Sequence, residues 1–203
     1  GTMAAGLAHE LNNPAAAVKR AASDMADALE VIGATLGEFV EAGVERADAE
    51  RLIGLQHEAL VRAKKRTKLE GLDAADAEDA MLERLEACGV DEAWRLAEPL
   101  AAAGVDEAWL KQVHELAGPA TGAALRWVAA SLTARNLAAD LLDSASRMGD
   151  LVKAIKAYAY MDRGELVQVD VHEGLKTTLI MLGHKIKHTS IAVVKDFDRE
   201  LPQ

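Results

Sequence analysis

The chain has 203 residues, 23 basic against 33 acidic, for a formal net charge of −10 at neutral pH. Half are hydrophobic, only 3% are aromatic and roughly forty are alanine, so the excess of strong helix formers predicts a mainly α protein. The acidic balance counts against a nucleic-acid footprint, which needs a clustered excess of Lys and Arg, and the longest uncharged stretch, Leu116 to Leu125, is about half of a membrane-spanning helix.

The length suits one domain of ordinary size, or one with a piece of another. Cys88 is the only cysteine, which rules out an intrachain disulfide. Ala4, Ala5, Leu7 and Ala8 run into His9 and Glu10 without a basic-then-apolar leader. No membrane contact is expected from this segment, and a cytoplasmic location is the expectation.

Residues 1–43 read as one long helix, from Thr2 to about Gly43. Leu7, Leu11, Pro14, Val18, Ala22, Met25, Leu29, Ile32, Leu36 and Phe39 (or Val40) recur at spacings of three and four, the seam of a helix packed in a coiled coil or bundle. Pro14 lies inside the pattern. It lacks an N–H and crowds the carbonyl four residues back, which predicts a bend near Glu10.

Residues 44–118 read as an inserted all-helical subdomain of shorter units. Gly71-Leu72-Asp73, Gly89-Val90-Asp91 and Gly104-Val105-Asp106 each suggest a glycine that ends one helix and an aspartate that caps the next. The string Gly-Val-Asp-Glu-Ala-Trp occurs at 89–94 and again at 104–109. Two copies are too few for a solenoid. Between Glu41 and Glu115 stand 18 acidic and 10 basic residues, so most of the net charge belongs to this segment.

Residues 119–163 return to the long-helix texture. Pro119 suits a first helical turn. Leu125, Val128, Leu132, Leu141, Ala145, Met148, Val152, Ile155 and Ala159 keep the three-four spacing, and the helix is expected to reach Met161 or Asp162. Residues 164–203 change period. Val167, Val169 and Val171 alternate with polar neighbours as a strand does, Asp170 to Gly183 reads as a helix, and Ile191 to Phe197 reads as a second strand. A short β-α-β piece cannot bury a core alone, so it reads as the truncated start of an α/β domain.

The sharpest local string is His9-Glu10-Leu11-Asn12-Asn13-Pro14. A zinc-protease helix needs histidines at i and i+4. Position 13 is asparagine, and His57, His114, His172, His184 and His188 are scattered without ligand spacing, so no metal site is expected. On a helix His9 and Asn13 lie one turn apart, about 40° apart around the axis, with Ala16 and Arg20 continuing that face. His9 falls outside the Leu7/Leu11 seam, which puts its imidazole toward solvent. A neutral imidazole nitrogen is a competent nucleophile near pH 7. A carboxylate such as Glu10 can hold or accept the proton of the other ring nitrogen. Alanines on both sides, with Gly6, leave room for a partner. The plain alternative is a surface histidine on a helix.

Met3 to Pro14, Met-Ala-Ala-Gly-Leu-Ala-His-Glu-Leu-Asn-Asn-Pro, resembles the H-box of the dimerisation and histidine-phosphotransfer domain of two-component sensor histidine kinases. Arg147 to Val152, Tyr158 to Asp162, Val169 to Leu175 and Ile191 to Pro202 resemble that family's second helix and the start of its ATP-binding domain. The resemblance covers about Gly1–Val40 and Leu125–Gln203. The alanine-rich insert lies outside the family's minimal hairpin and is similar to an insertion in a subgroup of actinobacterial kinases.

The resemblance implies a long antiparallel helical hairpin, paired with a second copy into a dimeric four-helix bundle. It implies His9 as phosphoacceptor from the γ-phosphate of ATP and Glu10 as its acid/base partner. Asn13 matches the position that orients water for dephosphorylating a response regulator, and Pro14 supplies the bend. The implied partners are a second copy of the chain, a response-regulator receiver domain and the parent's ATP-binding domain. ATP and Mg²⁺ belong to that last domain, whose asparagine-bearing helix and glycine-rich lid motifs are not among these residues. Gly118, Gly122, Gly164, Gly174 and Gly183 form no phosphate-cradling loop, so no cofactor is expected on this chain and it should not autophosphorylate alone. The other reading is a non-catalytic helical dimerisation and signal-transmission scaffold.

Trp94, Trp109 and Trp127 read as core anchors. The basic run Arg62 to Lys68 reads as a complement to a helix C-terminus. Tyr158 and Tyr160 read as packing residues, and His172, His184 and His188 receive no role.

Overall fold

The computed structural model of the chain describes residues 2–67, 69–161, 170–182 and 192–196, with side chains from Glu10 onward except those of 157–161, 180 and 181. Among these residues every regular element is a helix: α1 (Thr2–Glu41), α2 (Arg46–Lys65), α3 (Leu72–Ala87), α4 (Ala93–Ala103), α5 (Glu107–Ala117), α6 (Thr121–Met161) and α7 (Val171–Met181), with a 3₁₀ turn at Gly118–Ala120. The two long helices and the helix after Asp170 stand where the periodicity predicts them. Asp170 caps α7, its Oδ1 accepting from the His172 N–H at 2.8 Å. The strand expected at 191–197 is not found in its described part, since residues 192–196 are exposed and irregular. Among the described residues no strand pairs with them, and a lone apolar segment makes no sheet. The strand expected around Val167 and Val169 lies outside the described residues.

Three helices end on the same two letters. Gly43-Val44, Gly89-Val90 and Gly104-Val105 each place the glycine at positive φ, 67°, 70° and 69°. In each, the valine N–H donates to the carbonyl five residues back: Val44 to Phe39, Val90 to Leu85 and Val105 to Leu100. This closure satisfies carbonyls at the helix end, and the valine turns inward behind the glycine. Val90 and Val105 are buried and Val44 packs against the same core.

The aspartates that follow do not share one role. Asp106 caps α5 as expected, accepting from the Trp109 N–H at 2.8 Å, and also accepts from Arg62 at 3.2 Å. The Trp109 N–H first, and Arg62 second, hold the Asp106 carboxyl below its ordinary value. Asp91 is not a cap. α4 starts two residues later at Ala93, and Glu92 before it adopts the left-handed conformation, φ 51° and ψ 36°, with no side-chain cap. Asp73 is not a cap either, because α3 begins at Leu72 behind Gly71 and takes Asp73 into its first turn, where a carboxylate favours the helix dipole.

The chain divides into two compact units, residues 1–20 with 140–203, and residues 21–139. In the second unit, α2 to α5 surround a core centred on Ala59, Leu85, Ala97, Leu100 and Trp109, each no more than 1% exposed. Alanine at such positions lets helix axes approach closely. The Trp109 Nε1 donates to the Leu55 carbonyl at 3.2 Å, which meets the requirement of a buried indole. Arg66, just past the end of α2, donates to the Ala101 carbonyl at 2.9 Å and fills the space where a side chain at Gly104 would stand. The basic run therefore does end a helix, as expected, but Arg62 and Arg66 also tie α2 to the α4–α5 turn. The C-terminal part of α1 joins this unit through Glu38, paired with Arg126 at 2.5 Å, and Phe39, edge-to-face on Trp127 at 6.0 Å.

The seam of α1 keeps its predicted line at Leu11, Pro14, Val18, Met25, Ile32 and Phe39 and departs from it at three positions between them. Ala21, Ala28 and Thr35 are buried and Met25, Ile32 and Phe39 half-buried, whereas Ala22, Leu29 and Leu36 face outward. The inner line admits small residues where α1 comes close to its neighbours, and the leucines one position on are left outside. They continue as a second apolar line with the same spacing: Ala22, Ala26, Leu29, Gly33, Leu36 and Val40, all exposed. In the first unit α6 repeats the arrangement. Leu151 and Ala154 are buried and Leu141, Met148 and Ile155 half-buried, while Leu142, Ala145, Gly149 and Val152 form an exposed line one residue away.

Candidate functional site

The His9–Pro14 string lies in the first unit, inside α1, which runs unbroken through Pro14. Proline cannot donate to the Glu10 carbonyl, so one bond of the helical ladder is missing one turn after His9. The helical backbone puts His9 and Asn13 on one face, about 6 Å apart along the axis. Asn13 is exposed, Glu10, Leu11 and Pro14 are half-buried, and Asn12 is exposed. The His9 side chain lies outside the described residues, and so do those of Tyr158 and Tyr160. Ala15 and Ala16 are exposed beside Asn13, so the surface that continues this face toward Arg20 is made of small side chains. A partner's loop can approach such a face closely, and an amide at Asn13 can donate and accept hydrogen bonds there.

A second concentration of polar groups lies wholly within the 21–139 unit. A cavity of about 320 Å³ opens between α1, the α3–α4 turn and α6. Its carboxylates are Asp24 and Asp27 on α1 and Asp91 and Glu92 in the turn. Val31, Leu96, Ala129 and Ala130 give it an apolar floor. Arg95 and Arg126 also line it, and both have carboxylate partners: Arg95 with Glu92 at 3.4 Å, Arg126 with Glu38. Trp94, the neighbour of Arg95 in sequence but not part of the lining, is 63% exposed, with the Arg95 guanidinium 5.0 Å from its ring centroid.

Sequence reasoning missed this site. The duplicated string predicts the same structure twice, and all three tryptophans read as core. Trp109 is buried, Trp127 half-buried, and Trp94 lies at the surface. Arg62 on α2 sits opposite the second copy and gives Asp106 a partner, and no sequence pattern joins the three segments that line the cavity. Among the described residues no arginine is paired with Asp91.

Among the described residues no three His, Cys, Asp or Glu side chains converge to hold a metal ion, and no helix is long and apolar enough to cross a membrane. No protein-family model, no curated protein and no solved structure matches this chain.

Proposed function

We propose that this chain is the dimerisation and phosphoacceptor region of a sensor histidine kinase. The observation that carries the reading is α1 itself: an unbroken helix through His9-Glu10-Leu11-Asn12-Asn13-Pro14, with His9 and the exposed Asn13 one turn apart on a face flanked by small residues. Two helices of 40 and 41 residues, each with an outward apolar line at heptad spacing, support pairing with a second copy.

In the proposed reaction a neutral His9 ring nitrogen attacks the γ-phosphorus of ATP held by the separate ATP-binding domain. An N–P bond forms, the bridging β–γ P–O bond breaks, and ADP departs with that electron pair. Glu10 takes the proton from the other ring nitrogen, which keeps the phosphorylated imidazole neutral. A receiver-domain aspartate then attacks the phosphorus, the N–P bond breaks with its electron pair going to His9, and Glu10 returns the proton to the other ring nitrogen. Asn13 orients water for the opposing dephosphorylation of that partner.

The test is phosphorylation in trans. The chain is mixed with the parent's ATP-binding domain and Mg²⁺-ATP, and acid-labile phosphate is measured on the wild type and on His9→Gln. Label on the wild type alone is the expected result. No label, with the added domain shown to bind ATP, overturns the reading and leaves a dimerisation scaffold.

A further inference from the structure

We infer that the cavity between α1, the α3–α4 turn and α6 is a binding site for a small organic cation with an apolar body. The inference does not rest on the phosphotransfer reading, since every residue it uses lies in the 21–139 unit.

The argument begins with volume and floor. About 320 Å³ is at the lower end of the range that small-molecule sites occupy, and such sites are mostly apolar with a few placed polar groups. Val31, Leu96, Ala129 and Ala130 supply the apolar part. Leu96 and Ala129 belong to the buried core, so this floor is held by packing and is formed before any occupant arrives.

Charge then selects the occupant. Both arginines of the lining are already paired with carboxylates. Asp24, Asp27 and Asp91 line the same space and make no ion pair with any described residue. The rim therefore carries three uncompensated negative charges over a hydrocarbon floor. The carboxylates come from two separate segments and do not converge as metal ligands do, which suits an ammonium group carried on a hydrocarbon body better than a bare ion. An anion would meet those three carboxylates and find no unpaired arginine.

The duplicated string supplies an internal comparison. At 104–109 its aspartate caps a helix and its tryptophan is buried. At 89–94 the same six letters turn the aspartate to the cavity rim and the tryptophan out to solvent.

Equilibrium dialysis of the whole chain against labelled phenethylamine at low ionic strength tests the inference, with phenylacetate and Mg²⁺ as comparisons. The expected result is saturable binding of one amine per chain at about millimolar Kd and no saturable binding of phenylacetate. Asp24→Asn with Asp27→Asn should weaken the amine about fivefold or more, and Asp91→Asn alone should weaken it less. These side chains are exposed, so the variants are expected to fold. Ala130→Leu, which fills the floor, should also weaken it, a separate check should an asparagine variant misfold. Absence of saturation up to about 20 mM, equal binding of phenylacetate, indifference to all three variants, or displacement of the amine by Mg²⁺ at equal concentration would overturn the inference.

Discussion

The two copies of Gly-Val-Asp-Glu-Ala-Trp allow one substitution to be made in two structural contexts. In Asp106→Ala the Trp109 N–H loses its acceptor and Arg62 loses one of its two carboxylates. Loss of a cap costs about 1 kcal/mol. The Arg62 pair, whose side chains are 35% and 59% exposed, adds about 0.3 kcal/mol after solvent screening. The sum is about 1.3 kcal/mol. Asp91→Ala removes an exposed side chain with no helix to cap, and a change within about 0.3 kcal/mol is expected. Urea unfolding followed by tryptophan emission measures both, because Trp94, Trp109 and Trp127 all lie in the 21–139 unit. With a slope of about 2 kcal/mol/M, Asp106→Ala should lower the midpoint by about 0.6 M and Asp91→Ala by less than about 0.2 M. Equal losses, or a larger loss at Asp91, would refute the claim that the two copies are built differently.

Three further outcomes follow from the same geometry. Glu92→Gly should raise stability by about 0.5 kcal/mol, read as a higher Tm, since relief of the left-handed strain exceeds glycine's entropy and the exposed pair to Arg95; a lower Tm would mean that Glu92 is held by something else. Leu100→Ala, at a position 0% exposed, should cost about 2–5 kcal/mol in the same urea titration, and a loss below about 1 kcal/mol would remove Leu100 from the centre of the core. Because the folded-state pKa of Asp106 is depressed, its contribution is complete above the unfolded carboxylate value and fades as pH falls through the folded one. Asp106→Asn should therefore flatten the acid limb of the stability profile and leave its slope above about pH 5 unchanged.

Much of the helical framework is legible in the sequence because it depends on local chemistry. Heptad spacing places α1 and α6 to within about two residues, and glycine at Gly43, Gly89 and Gly104 ends helices for a reason internal to each turn. What fails is whatever depends on a distant neighbour. Which of Ala28 or Leu29 faces inward is decided by how near the adjacent helices come, and nothing within α1 encodes that distance. Asp106 caps a helix and also meets Arg62, 44 residues before it, whereas the left-handed Glu92 starts α4 too late for Asp91 to cap it. The candidate phosphoacceptor string was legible as a motif on a helix, and its neighbours Glu10, Asn13 and Pro14 lie on that helix. The cavity was not legible, being assembled from three segments that no local pattern connects.

The division between the two compact units falls between Arg20 and Ala21 and again between Ala139 and Asp140. Both points lie inside long helices rather than in connecting loops. Dissecting the molecule there would cut two hydrogen-bonded ladders. Each severed end would expose up to four amide or carbonyl groups that the intact helix satisfies. A fragment spanning 21–139 would need new capping residues at both cuts before its stability could be compared with that of the parent. The loops offer no substitute, since the connections at 42–45 and 118–120 lie within the same unit. For this chain, a deletion series guided by helix boundaries and one guided by compactness would produce different molecules.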